Sequence, residues 1–192
     1  MTNVHVVYAS RHGGTRGIAE RISEVLRAEG LDVSCAPADE AADLTTADAV
    51  VIGSGVYMGS WLGEGVKLIE RNAAALAARP VWLFSSGPLR GSSAEKEGID
   101  PLEAALGPEE GPGSGGRRKV TELATTIHAR EHHVFFGAFD PSDPPRGVPE
   151  RFIRLMPGSN KLLPPGDFRD WDAIEAWARD IARALAAPVA VA

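Results

Sequence analysis

Short apolar runs alternate with amphipathic segments along most of this chain, and that alternation constrains its fold more than any other feature. Val4 to Ala9, Leu31 to Ala36, Ala49 to Gly53, Pro80 to Ser85 and His133 to Ala138 each read as a strand rich in β-branched or aromatic residues. The run Ala49 to Gly53 is nearly all apolar, as a central parallel strand buried on both faces requires. Between the runs, Thr15 to Glu29 places Ile18, Ala19, Ile22, Val25 and Leu26 on one helical face, with Gly30 at the stop position. A second helix carries Leu62, Val66 and Ile69 behind a Ser60 cap, and a third spans Arg117 to Ala129. The last starts at an Asp170 cap, with Trp171, Ile174, Trp177, Ala178, Ile181 and Leu185 inward. Strands and helices in this order make an α/β domain whose strands are parallel and whose crossovers are right-handed.

The 192 residues suit one domain. Two stretches fall outside the alternation. Residues 106–116 are rich in glycine and proline and read as a mobile loop, and 140–167, with seven prolines, read as an irregular insert before the last helix. The net charge of −6 excludes nucleic acid as the main partner and disfavours anionic membrane surfaces. A single cysteine, Cys35, excludes an intrachain disulfide, a CxxC redox pair and a cysteine zinc site. No apolar run is long enough for a transmembrane helix, the first ten residues lack signal-peptide character, and a cytoplasmic location is expected.

Chemistry concentrates where strands end. The first strand runs into Ser10, Arg11, His12, Gly13, Gly14 and Thr15, and a helix follows. Free N–H groups at a helix start form an anion site, and the paired glycines let backbone approach a phosphate. A tight turn with a capping threonine reads the same residues equally well. The turn lacks the Gly-Lys-Ser/Thr of a Walker loop, and Ala36 and Pro37 stand where a dinucleotide fold has an acidic residue. A second loop follows the third strand, with Ser54, Gly55, Val56, Tyr57, Met58, Gly59 and Trp61, and a third holds Ser85, Ser86, Gly87 and Pro88. Three such loops at the carboxyl edge of one sheet suit a ligand with a phosphate and a flat ring, Tyr57 or Trp61 stacking on the ring. Alternatively, both aromatics belong to the core.

These motifs resemble the flavodoxin-like FMN-binding proteins, over nearly the whole chain. The Ser10–Gly13–Thr15 turn is similar to that family's phosphate loop. Ser10 to Thr15 leading into Ile18-Ala19, Ile52-Gly53 through Gly59, Arg151-Phe152 and Asp170-Trp171 most resemble the branch containing menaquinone-dependent protoporphyrinogen oxidase. The resemblance implies a doubly wound five-stranded parallel sheet of order 2-1-3-4-5 and FMN as cofactor, held by the residues of the three loops. It also implies redox chemistry, with a small-molecule or quinone substrate or a redox protein as partner, so that an FMN-dependent oxidoreductase and a non-catalytic electron carrier both remain open. No general acid or base is assigned. His128 and His132 stand four apart, but a helix end beside a strand accounts for them, and no metal site is assigned.

Overall fold

The computed structural model describes residues 1–41, 43–87, 101–140, 142–144 and 166–187. Five parallel strands form its centre: β1 (Asn3–Ala9), β2 (Asp32–Pro37), β3 (Ala49–Tyr57), β5 (Val81–Ser86) and β6 (Glu131–Phe135). They lie in the order β2-β1-β3-β5-β6, which is the expected 2-1-3-4-5 arrangement of the five parallel strands. Val4 of β1 pairs with Ala49 of β3, and Val50 with Val81 of β5. Helices α1 (Gly14–Ala28), α2 (Gly63–Ala77), α3 (Pro101–Leu106), α4 (Gly115–Thr126) and α5 (Trp171–Ala186) fill the connections.

The period-two alternation of the central strands sorts the core into two layers. Val50, Ile52 and Leu83 face α2 and α4, meeting Leu68, Ile69, Leu76, Val120, Leu123 and Ile127. Val51, Trp82 and Phe84 face α1 and α5, meeting Ile18, Ile22, Leu26, Ile174, Trp177 and Ile181. The seven residues from Ala49 to Gly55 are all buried, as are all six of β5. Gly53 has a steric reason to be glycine: a Cβ there would lie 1.9 Å from Cζ of Phe84, whose ring is fully buried.

Several boundaries differ from the sequence expectation. Ser60 does not cap a helix. It lies in the two-residue strand β4 (Ser60–Trp61), which folds back antiparallel on the end of β3, pairing Tyr57 with Ser60 and Val56 with Trp61. The second helix starts later, behind Leu62. Before β3, Leu44–Thr46 form a 3₁₀ turn whose cap is Asp43. Trp171 is 37 % exposed rather than inward, because its ring takes the Arg169 guanidinium at 4.4 Å. Asp170 does cap α5, its carboxylate accepting from the Ala173 N–H at 3.0 Å. A short ribbon, β7 (Ala138–Phe139) with β8 (Gly166–Asp167), closes over the start of α1. Among the described residues, no helix is long and apolar enough to cross a membrane.

Candidate functional site

The parallel strands β1, β3 and β5 all end at the same edge, so the turns that leave them meet there. β1 and β3 are adjacent, but the chain leaves β1 toward β2 on one side and returns through β3 on the other. The strands stay paired to Ala9 and Ser54, and it is the connections beyond them that diverge and open a crevice.

The first wall is the turn between β1 and α1. Gly13 is left-handed at φ 79°, and its N–H donates to Ser10 Oγ at 3.2 Å, which curls the chain into the helix. No side chain caps α1. Among the described residues, the backbone N–H groups of Gly14, Thr15 and Arg16 have no acceptor, and the first satisfied donor is Gly17, bonded to the Gly13 carbonyl at 2.9 Å. Three free donors at the positive end of a 15-residue helix form a concentrated anion cradle. Thr15 is 4 % exposed, yet its hydroxyl makes no hydrogen bond among the described residues. His12 turns toward Asp143, with Nδ1 at 3.5 Å from the carboxylate, and its ring stands 6.3 Å from that of Tyr57. A cleft of about 640 Å³ opens beside the turn, lined by His12, Gly13, Gly14, Arg16, Asp140 and Arg169 among others.

The second wall is the β3–β4 hairpin. Met58 and Gly59 form its two-residue turn, both left-handed at φ 49° and 73°, the conformation that matches the twist of the flanking strands. Its tip carries Met58 at 82 % exposure. Tyr57 stands inside the turn, half-buried, with the Arg11 guanidinium 4.9 Å over its ring. Gly55 lies between the walls: a Cβ there would stand 3.1 Å from Thr15 Oγ1 and 3.4 Å from Tyr57 Cε2. Ser54 faces inward, fully buried, its hydroxyl accepting from the Leu62 N–H at 3.0 Å and so fixing the base of the hairpin.

The third wall is the end of β5. The Ser86 hydroxyl has no partner among the described residues, while the Gly87 N–H donates to the Phe135 carbonyl at 2.9 Å. Gly87 passes Val56, to whose Cβ its own Cβ would lie at 3.8 Å. Pro88 lies outside the described residues, as do Arg151 and Phe152.

Beneath the second and third walls runs a polar chain that sequence reasoning missed. Trp61 is 6 % exposed, and its indole N–H donates to Ser85 Oγ at 2.7 Å. Ser85 Oγ in turn lies 2.8 Å from Nε2 of His132, whose ring meets the Trp61 indole edge-on at 5.7 Å. Trp61 and Ser85 thus face the core. After accepting the indole N–H, Ser85 Oγ keeps its own proton and a second lone pair, either of which serves the bond to Nε2. Burial, helped by the neighbouring His133, pushes the His132 pKa down to about 4. His128 ends α4 in a left-handed conformation, exposed and on a different element from His132.

A family model described as flavodoxin domain matches residues 5–141. The fold is shared with a flavodoxin from Pseudomonas aeruginosa in which one cysteine is replaced by serine, at 17 % identity and a TM-score of 0.57 over 97 % of this chain and 100 % of that one. A short-chain flavodoxin associated with a non-canonical PDU bacterial microcompartment matches at 14 % identity and a TM-score of 0.56, over 96 % and 99 % of the two chains. Rubredoxin oxygen:oxidoreductase from Desulfovibrio gigas matches at 17 % and 0.54, this chain covering 37 % of that much longer one. At these identities the likeness is one of fold. No curated protein matches the chain.

Proposed function

The chain belongs to the flavodoxin-domain family, whose cofactor is FMN, and from that premise we propose that it is an FMN-dependent oxidoreductase acting on a small redox substrate. The single observation that carries the cofactor's placement is the uncapped start of α1. The backbone N–H groups of Gly14, Thr15 and Arg16 and the Thr15 hydroxyl have no partner among the described residues, and the Gly13–Gly14 backbone beside them carries no side chain. That is the donor set a phosphate dianion needs. The ring would then extend from Thr15 past Gly55, where a Cβ would fill the gap between Thr15 and Tyr57. Tyr57 offers a stacking face, and the Ser86 hydroxyl offers a hydrogen bond to the polar edge. When bound, FMN supplies the electron and hydride chemistry; the protein binds, orients and shields it.

The enzyme reading is supported by the third wall. Residues 85–100 hold no aromatic residue that could stack on the ring as a shield. Within that reading, the protoporphyrinogen-oxidase branch rests on the sequence motifs around Ser10–Thr15 and Asp170–Trp171, and a porphyrinogen with a quinone acceptor is its specific form. A carrier reading is favoured by one feature: Met58 sets exposed apolar surface at the rim, where a redox protein would dock. Anaerobic mixing of oxidised holoprotein with protoporphyrinogen separates the two. Bleaching of the flavin at a rate saturating in porphyrinogen, followed by recovery with added menaquinone, is expected for the oxidase. No bleaching, with rapid electron exchange with a reduced redox protein, refutes it in favour of the carrier.

A further inference from the structure

Among the described residues, the three loops at the crevice carry cationic side chains and no acid. Residues 10–16 hold Arg11, His12 and Arg16, while 53–61 and 85–87 hold no charged residue. On a chain of net charge −6 this is a local reversal of sign. Most of the charge near the crevice is matched within the fold. Arg16 pairs with Glu20 at 3.6 Å, and His12 faces Asp143. The acids of the adjacent cleft are also engaged, Asp167 by Arg169 and Asp140 by the Ser142 N–H and hydroxyl. Arg11 differs. It is exposed, and among the described residues its partner is the face of Tyr57 at 4.9 Å rather than a carboxylate. A cation over a ring keeps its full charge, since the ring's quadrupole does not neutralise it.

We propose that Arg11 is a specificity residue, whose guanidinium at the mouth of the crevice, paired with no carboxylate among the described residues, selects anionic redox substrates, those bearing carboxylates or phosphates. This rests on the FMN reading above. Arg11 and Tyr57 reach across from the first wall to the second, so a molecule approaching a ring held against Tyr57 passes the guanidinium. A guanidinium also matches a carboxylate with two parallel hydrogen bonds, which a lysine does not.

The test uses two oxidants of opposite charge. Holoprotein is photoreduced anaerobically and mixed with ferricyanide, a trianion, or with tris(phenanthroline)cobalt(III), a trication. Each oxidant ion gains one electron, so two are consumed for each two-electron-reduced flavin, and the flavin's protons pass to water. One charge acting on a trianion at about 10 Å changes the encounter rate about fourfold at an ionic strength of about 10 mM, and about twofold at about 0.15 M. Arg11→Ala is therefore expected to slow ferricyanide and speed the cobalt complex, each about fourfold at low salt. Arg11→Glu is expected to shift the ratio further in the same direction, and Arg11→Lys to restore it for these spherical ions. Arg183→Ala, an equal loss of charge at the far end of α5, is expected to leave the ratio near that of the wild type. Arg11→Gln carries the comparison if the alanine variant proves unstable. A ratio that moves equally in the Arg11 and Arg183 variants, or in neither, overturns the proposal. Failure of the wild-type protein to take up FMN would instead overturn the cofactor reading beneath it.

Discussion

Acidification is expected to unfold this protein through His132. In the folded state burial, helped by the neighbouring His133, holds the imidazole neutral, with a pKa of about 4. In the unfolded chain it titrates near 6.5. The folded value is depressed, so the stability the neutral imidazole allows is fully present above pH 6.5. It is lost as the pH falls from there to about 4, because only the unfolded chain takes up the proton in that window. At about 1.4 kcal/mol for each unit of difference, the loss is of order 3 kcal/mol, a large share of a small domain's stability. His5, also buried, adds to the same trend, its pKa lowered by desolvation and by the nearby Arg79. Urea unfolding at a series of pH values between 7.5 and 4, followed by far-ultraviolet circular dichroism, measures the slope. His132→Gln keeps an acceptor for Ser85 and removes the titrating group. The variant is expected to lose a smaller amount of stability across the same interval, by about the His132 contribution. Equal pH slopes in the variant and the wild type would refute the assignment of a buried, neutral His132.

Two substitutions probe the scaffold that shapes the crevice. Gly53→Ala is expected to cost roughly 3 kcal/mol, since its methyl meets the Phe84 ring, and Gly53→Ala with Phe84→Leu is expected to cost less than the two changes summed; thermal unfolding of the four proteins checks the coupling. Met58→Asn is expected to stabilise the hairpin by about 0.5–1 kcal/mol, because asparagine tolerates the left-handed region that methionine occupies at strain, and an unchanged melting temperature would count against the tight turn.

The parallel sheet was legible because its order is written in local patterns. Ala49 to Ile52 had to be buried on both faces, and Ser10 to Thr15 announced a strand handing over to a helix. Asp170 announced a cap three residues before the N–H it binds. What was not legible depended on distance or on an exception. The Trp61–Ser85–His132 chain joins residues 24 and 47 positions apart, and nothing in the spacing of a tryptophan, a serine and a histidine marks them as partners. The β3–β4 hairpin was hidden because its turn is Met58-Gly59 rather than the usual Asn-Gly, so the strand read as ending at Gly53 and Ser60 as a cap. Trp171 read as inward by helical periodicity, but Arg169, outside the helix, supplies the ring with a cation at the surface. The ribbon of Ala138–Phe139 with Gly166–Asp167 pairs segments separated by a proline-rich stretch, where no periodicity points from one to the other.

Titration of the flavin-free protein with FMN and with riboflavin, in the wild type and in Thr15→Ala, reads out whether the start of α1 holds the phosphate of FMN. A hydroxyl bond to a charged phosphate is worth roughly 1.5–3 kcal/mol. The substitution is expected to weaken FMN binding by about 10- to 100-fold while riboflavin binding stays within about twofold. Equal losses for both ligands, or no preference of the wild type for FMN over riboflavin, would contradict that placement of the phosphate.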